Sequence, residues 1–330
     1  MKLTLDQLRS VTFGTARVAE ENGVVRFFRF TNAQSNAYLA AGNDYFYTKS
    51  FAAAGVRFAF FSNTSRLSFS YTAYKGASRP WFGFDIYADN RMVAHREYAL
   101  GEEPASFRTE AELPAGEKKI EVYLPFSARI DLSDFSIDDG ATLTPAPRSR
   151  TMYAFGDSIT HGYDSHYPSL SYVNRLAFLL DADPVNKGIG GDVFFPDLLD
   201  EGGDAYDAPD DITVAYGTND WSGQSRERTA VACRAFYQKL SQRYPMSRIF
   251  AVTPVWRGDG ETRVTRFGGP LRKMDRLIAE CVADLPNVLL VSGEFLIPHA
   301  PEFFIPDRLH PNELGFLLYA ANLREEILKR

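Results

Sequence analysis

The sequence predicts an α/β protein in two parts: a β-sandwich over residues 1–148, then a doubly wound domain on a five-stranded parallel sheet over residues 149–330. Three observations carry that expectation. Apolar residues recur in steps of two through the first half, and short apolar runs alternate with helical stretches through the second. Between them, "TLTPAPRSR" (residues 142–150) has two prolines and no periodicity, as an extended interdomain linker does.

In the first half, "LSFSYTAY" puts Leu67, Phe69, Tyr71 and Ala73 on one face, and "KIEVYLP" does the same with Ile120, Val122 and Leu124. "GVRFAFF" and "FGFDIYADNRMV" add strands, the latter with a turn at Asp89-Asn90, so the span from Val24 to Ile137 is expected to be all-β. In the second half, "TMYAF", "DITVAY", "RIFAVT" and "NVLLVS" are strands, while Leu271, Met274, Ile278, Cys281, Val282 and Leu285 form one helical stripe. Strands alternating with helices imply a parallel sheet covered on both faces, with ligands at the carboxyl ends of its strands. Ser158 follows "YAF", Gly191 follows "PVNKGI", Asn219 follows "ITVAYG" and Trp256 follows "IFAVTPV", all on that side.

Composition narrows the partners. A hydrophobic content of 45% over 330 residues suffices for proper cores. The formal net charge of -6, with Lys and Arg scattered, gives no phosphate-backbone footprint, so nucleic acid is not expected. There is no apolar run of about eighteen residues, the bilayer-spanning length, and "MKLTLDQLRS" lacks an apolar signal core. No membrane partner and a cytoplasmic location are therefore expected. Cys233 and Cys281 lie among apolar residues of helical segments, as small buried hydrophobes do. With no clustered ligands such as HExxH, neither metal nor cofactor is expected.

The segment "YAFGDSITHG", residues 153–162, leaves an apolar strand through Gly156, Asp157 and Ser158. Alone it fits two roles: a nucleophile presented at a strand end, or a helix-capping turn, since Asp and Ser are both favoured caps. "NKGIGGD" (186–192), "AYGTNDW" (215–221) and "DRLHPNELG" (307–315) follow in that order. A serine hydroxyl needs a base within hydrogen-bond reach, itself held by a third group. His310 and Asp307 can supply both, because a turn-like backbone across their three-residue spacing lays the carboxylate on Nδ1 and leaves Nε2 for Ser158. Asp157 and Asp220 suit structural acids that accept backbone N–H groups.

Taken together, the four blocks resemble those of the SGNH hydrolases, the GDSL esterase and lipase family, across the whole second half. The resemblance implies a flavodoxin-like domain and a serine esterase with Ser158, His310 and Asp307 as its triad. It implies an oxyanion hole made by the Ser158 and Gly191 backbone N–H groups and the Asn219 side-chain amide. Gly188 and Gly190 remain rivals of Gly191, and the family usually shows a small polar residue where Gly190 stands. Some relatives lack the acid at the position of Asp307 and orient the histidine by a backbone carbonyl. The GxSxG elbow of the other serine-hydrolase fold is missing. Among other histidines, His161 lies three residues past Ser158 along the same helix, His166 and His299 have no acid at family spacing, and His95 belongs to the β half. None displaces His310.

Substrate signals are sparser. Trp221 and Trp256 follow strand ends, where an indole stacks on a sugar, lines an acyl cleft, or packs in the core. Arg257, Arg263 and Arg266 mark a loop that either holds an anion or is simply solvated, and Phe303 and Phe304 stand near the catalytic pair as candidates to narrow the acyl site. A jelly-roll-like sandwich ahead of such a domain resembles carbohydrate esterases that remove acetyl groups from sugars. Its expected roles are glycan binding, walling the cleft, or homo-oligomerisation. The expected activity is hydrolysis of a small acetylated sugar or glycoside. The alternatives are a lysophospholipase or thioesterase with a longer acyl site, and a non-catalytic glycan-binding protein on a hydrolase scaffold.

Overall fold

Strand alternation in the first half is realised as two antiparallel sheets packed face to face in a computed structural model that describes residues 1–200 and 204–330. One sheet runs in the order 12–13, 57–62, 118–123, 81–88, 91–99, with 144–145 also on strand 57–62; the other runs 17–21, 24–28, 128–137, 66–75, 105–112. Leu67, Phe69, Tyr71, Ala73, Ile120, Val122 and Leu124 all face the shared core, where Phe69 stacks on Phe135 at 5.6 Å. The hairpin at Asp89-Asn90 forms as expected. Both residues take positive φ, 47° and 64°, the backbone that lets a two-residue turn follow strand twist.

The expectation of an all-β span fails at residues 32–49. Helices Asn32–Ala40 and Asp44–Lys49 interrupt the strands, each started by a side-chain cap. Thr31 and Gln34 form a reciprocal capping box, and Asn43 accepts the Phe46 N–H at 3.0 Å. These helices leave the sandwich core. Phe30 and Tyr38 are buried with Phe155, Ile189 and Phe194 of the second half, with Phe46 packed against them. Gln34 and Lys187 tie the same segment across, with the ammonium donating to the Gln34 side-chain oxygen at 2.7 Å.

In the second half the parallel sheet has the order 182–188, 150–156, 211–215, 248–252, 288–291, which is the doubly wound arrangement expected. Helices Tyr172–Leu179 and Glu313–Leu328 cover one face; Arg226–Arg243 and Lys273–Val282 cover the other. Cys233 and Cys281 are free and buried between the latter pair. Strand 150–156 is flanked by 182–188 and 211–215, so the chain order reverses around it and the ends of three strands open a crevice.

Residues 142–150 are not the free linker their composition suggests. Arg148 is buried and donates to the Ala182 carbonyl at 3.1 Å and the Tyr123 hydroxyl at 3.0 Å. Beside it, fully buried Arg57 pairs with Glu121 at 3.0 Å and with Asp183. Buried charges persist only when compensated, so this network bolts the two halves together. Among the described residues, no helix is long and apolar enough to cross a membrane.

Candidate active site

Strand 150–156 ends at Gly156, where an added Cβ would lie 2.1 Å from Thr160 Oγ1 and 2.9 Å from the Ala215 carbonyl; only glycine lets the chain turn there. Asp157 then caps the short helix Ser158–His161 by accepting the Ile159 N–H at 3.0 Å. The cap of this turn and the hydroxyl it presents therefore come from different residues. Asp157 is the cap, and Ser158, first in the helix, keeps its hydroxyl for another partner.

That partner is His310. Its Nε2 lies 2.8 Å from Ser158 Oγ, and its Nδ1 lies 2.6 Å from Asp307 Oδ2. The remaining oxygen of Asp307 accepts the N–H groups of Leu309 at 2.8 Å and His310 at 3.0 Å, so a tight turn fixes the carboxylate on the ring. Burial alone raises the Asp307 pKa, but hydrogen bonds from the His310 ring and these two N–H groups outweigh it and hold the carboxyl at about 2. The turn itself is anchored by the Ile305 N–H, which donates to the His310 carbonyl at 2.9 Å.

In the 188–192 turn the three glycines differ in what their N–H groups meet. The Gly188 N–H donates to Asn186 Oδ1 at 2.8 Å, and the Gly190 N–H donates to His161 Nδ1 at 3.1 Å. Only the Gly191 N–H has no acceptor among the described residues, and Gly191 takes φ of 94°, which suits glycine. Gly190 stands against Tyr163, whose ring an added Cβ would meet at 2.5 Å; this is why no small polar side chain occupies that position. Asn219 donates one amide proton to the Asp192 carbonyl at 2.9 Å, which orients the amide beside the same turn.

Other titratable groups surround the site. His161 is no rival base: its Nε2 meets the Phe126 carbonyl at 3.0 Å, and burial with nearby Arg29 and Lys49 lowers its pKa well below the usual value, so it stays neutral. Asp164, in the left-handed region at φ 69°, brings a second carboxylate to 3.7 Å from His310 Nδ1. Arg79, from the loop before strand 81–88, donates to both its oxygens, at 2.6 and 2.5 Å, and lies 4.8 Å over the Tyr163 ring, which in turn stacks on His310 at 5.9 Å. Asp164, Asp307 and His310 offer ligand atoms within 4.8 Å of one another, as a metal site requires. Asp164 is held by Arg79, Asp307 by the turn and the His310 ring, and His310 reaches Ser158, so each of the three already has a partner.

Behind the turn, three buried acids hold backbone. Asp157 is raised to about 6, Asp192 to about 7 and Asp220 to about 8, each by burial first. Asp220 accepts the Phe194 N–H at 3.2 Å, the structural role expected of it, and Asp192 accepts the Tyr38 hydroxyl at 2.7 Å.

A family model described as the GDSL-like lipase/acylhydrolase family matches residues 154–317, a span that begins just before Ser158 and ends just past His310. The second half of the chain carries a domain of this family. The protein is therefore an esterase of the SGNH/GDSL type. No curated protein sequence matches it. Among solved structures it is similar to a salicylyl-acyltransferase from a tetracycline biosynthetic pathway (19% identity, 96% of this chain and 94% of that one, TM-score 0.79). A protein from Bacteroides ovatus described as a GDSL-like lipase follows (18%, 100% and 97%, TM-score 0.77). A family two carbohydrate esterase from Clostridium thermocellum, in complex with cellohexaose, is also similar (17%, 84% and 93%, TM-score 0.65). At these identities the shared feature is the fold, including the additional N-terminal part.

For a GDSL-like esterase, the substrate signals in the sequence need correction. Trp221 is 0% exposed and donates its indole N–H to the Gly269 carbonyl at 2.9 Å, as a core residue does. Trp256 is half-buried and packs against Phe304 at 5.0 Å and His299 at 5.9 Å. Arg257 is neither solvated nor free for an anion, because it is buried on Asp259 and on Thr218 Oγ1 at 3.0 Å. Phe304 is buried and Phe303 packs on the same core, so this pair braces the His310 turn rather than an acyl pocket.

Proposed function

We propose that the protein removes acetyl groups from a small acetylated sugar or glycoside through an acyl-enzyme on Ser158. The observation that carries this reading is the unbroken line Asp307–His310–Ser158 beside a Gly191 N–H with no acceptor among the described residues. Ser158 Oγ attacks the ester carbonyl while His310 Nε2 takes its proton. The oxyanion that forms is held by the N–H groups of Ser158 and Gly191 and the free amide proton of Asn219. His310 then protonates the leaving sugar hydroxyl as the C–O bond breaks. Water attacks the acetyl-serine under the same base, and acetate leaves with Ser158 regenerated. Asp307 keeps the imidazole in the tautomer with its proton on Nδ1 and stabilises the imidazolium.

Two features favour a short acyl group. Phe46 lies within 3.4 Å of where a Gly191 side chain would begin, and Tyr163 closes over Gly190, so aromatic rings crowd the oxyanion turn. The similarity to a carbohydrate esterase solved with cellohexaose supports a sugar as the alcohol. A series of nitrophenyl esters tests this: acetate is expected to give a higher kcat/KM than octanoate, and acetylated sugars are expected to compete with it. Preference for octanoate without such competition would replace the deacetylase reading with that of a long-chain acylhydrolase.

A further inference from the structure

The segment 32–49 that the first half sends into the second ends on a lysine that is buried to 3% exposure. Its ammonium does not seek solvent. It donates to the carbonyl oxygen of Gly190, and it lies 3.8 Å over the Tyr45 ring and 5.6 Å from the Tyr163 centroid. The Gly190 carbonyl and the Gly191 N–H belong to one peptide unit. A cation on the oxygen draws electron density through the amide and makes the N–H a stronger donor, and it also fixes the plane in which that N–H points. Arg29, fully buried, fastens the arrangement from both ends. It donates to the carbonyls of Lys49 at 3.1 Å, Ala52 at 2.6 Å, Asn186 at 2.5 Å and Gly188 at 3.2 Å, tying the lysine's helix to the strand that leads into the turn.

We infer that Lys49 is a positioning residue for the esterase reaction: it orients and polarises the Gly190–Gly191 peptide, so the first half of the chain completes the oxyanion site. This rests on the reading of Gly191 as an oxyanion donor. The ammonium faces Asp192, which favours its charge, and Arg79 and His161, with the Tyr45, Phe46 and Tyr163 rings around it. Burial lowers its pKa to about 8, so the charge is present at neutral pH and is lost just above it.

The test uses the full-length protein and nitrophenyl acetate. Lys49→Met is expected to lower kcat by about 10- to 100-fold, less than deletion of a whole donor, with KM within about twofold. In the wild type, kcat falls with a midpoint near pH 8, and the Gly191 amide nitrogen resonance shifts with the same midpoint; in Lys49→Met both dependences disappear. A kcat within about threefold of wild type, or a Gly191 shift that persists in the variant as Asp192 titrates, overturns the inference. Should Lys49→Met not fold, Lys49→Gln, which keeps a donor without the charge, takes its place. A wild-type Gly191 resonance that does not move between about pH 7 and 9 overturns the inference without any variant. Failure of the underlying mechanism is seen separately, as turnover retained in Ser158→Ala, and the resonance shift does not depend on turnover.

Discussion

The two turns that flank the helix Ser158–His161 are held in opposite ways. The 305–310 turn is nearly self-sufficient: Asp307, Leu309 and His310 bond to one another within four residues. The 188–192 turn is held from a distance by Lys49, Arg29 and Tyr38 of the first half and by His161 and Asn219 of the second. A base that must gain and lose a proton sits partly exposed on a local scaffold. A donor that must stay fixed while charge develops sits on a buried, long-range one. That fits preorganisation, in which the cost of orienting dipoles is met during folding.

Breaking the chemistry itself has the largest effect. Ser158→Ala and His310→Ala are each expected to lower kcat for nitrophenyl acetate by about 10⁴-fold or more with Tm unchanged, since the two act as a unit. Next comes the long-range turn: Asn219→Ala is expected to cost about 10²- to 10³-fold in kcat. The local turn has a reserve. Because Asp164 already stands 3.7 Å from His310 Nδ1, Asp307→Ala is expected to cost about 10²- to 10³-fold, and Asp307→Ala with Asp164→Ala about 10⁴-fold. Equal losses in single and double variants would show that Asp164 lends no support.

The smallest effect concerns stability. Burial raises Asp220 to about 8, against about 3.9 in an unfolded chain, so the folded state holds its proton longer and stability falls as pH rises between those values. Asp220→Asn keeps an oxygen for the Phe194 N–H but cannot ionise. It is expected to shrink the loss of Tm between about pH 6 and 9 by about 3 °C. An unchanged loss would mean that Asp220 is not forced to ionise in the fold.

The same contrast explains what was legible in the sequence. The pairing of Asp307 with His310 was readable because it follows from short spacing on a turn, whereas Ser158 alone fitted a cap as well and was joined to them through the family resemblance of the four blocks. The alternation of Leu67 to Ala73 and the Asp89-Asn90 turn were readable for the same local reason. Gly191 could not be separated from Gly188 and Gly190, because the choice depends on Asn186 and His161 accepting the other two N–H groups. Helices 32–40 and 44–49 were missed although Thr31 with Gln34 spells a capping box; the segment packs against the second core and so lacks the period of its neighbours. Lys49, Arg79 and Asp164 left no motif, since charge buried by tertiary contacts looks like any surface charge in one dimension. Trp221 misled because a strand-end position gives no sign of which way its helix turns the ring.

The central claim is that the acyl group passes through Ser158, and trapping tests it most directly. The enzyme is mixed with nitrophenyl acetate, quenched in acid within the first turnovers, and digested for peptide mass analysis. The account predicts an acetyl group on the Ser158 hydroxyl in the wild type and none in Ser158→Ala, which should no longer turn over. An acetyl group on another side chain, or undiminished turnover in Ser158→Ala, would contradict it.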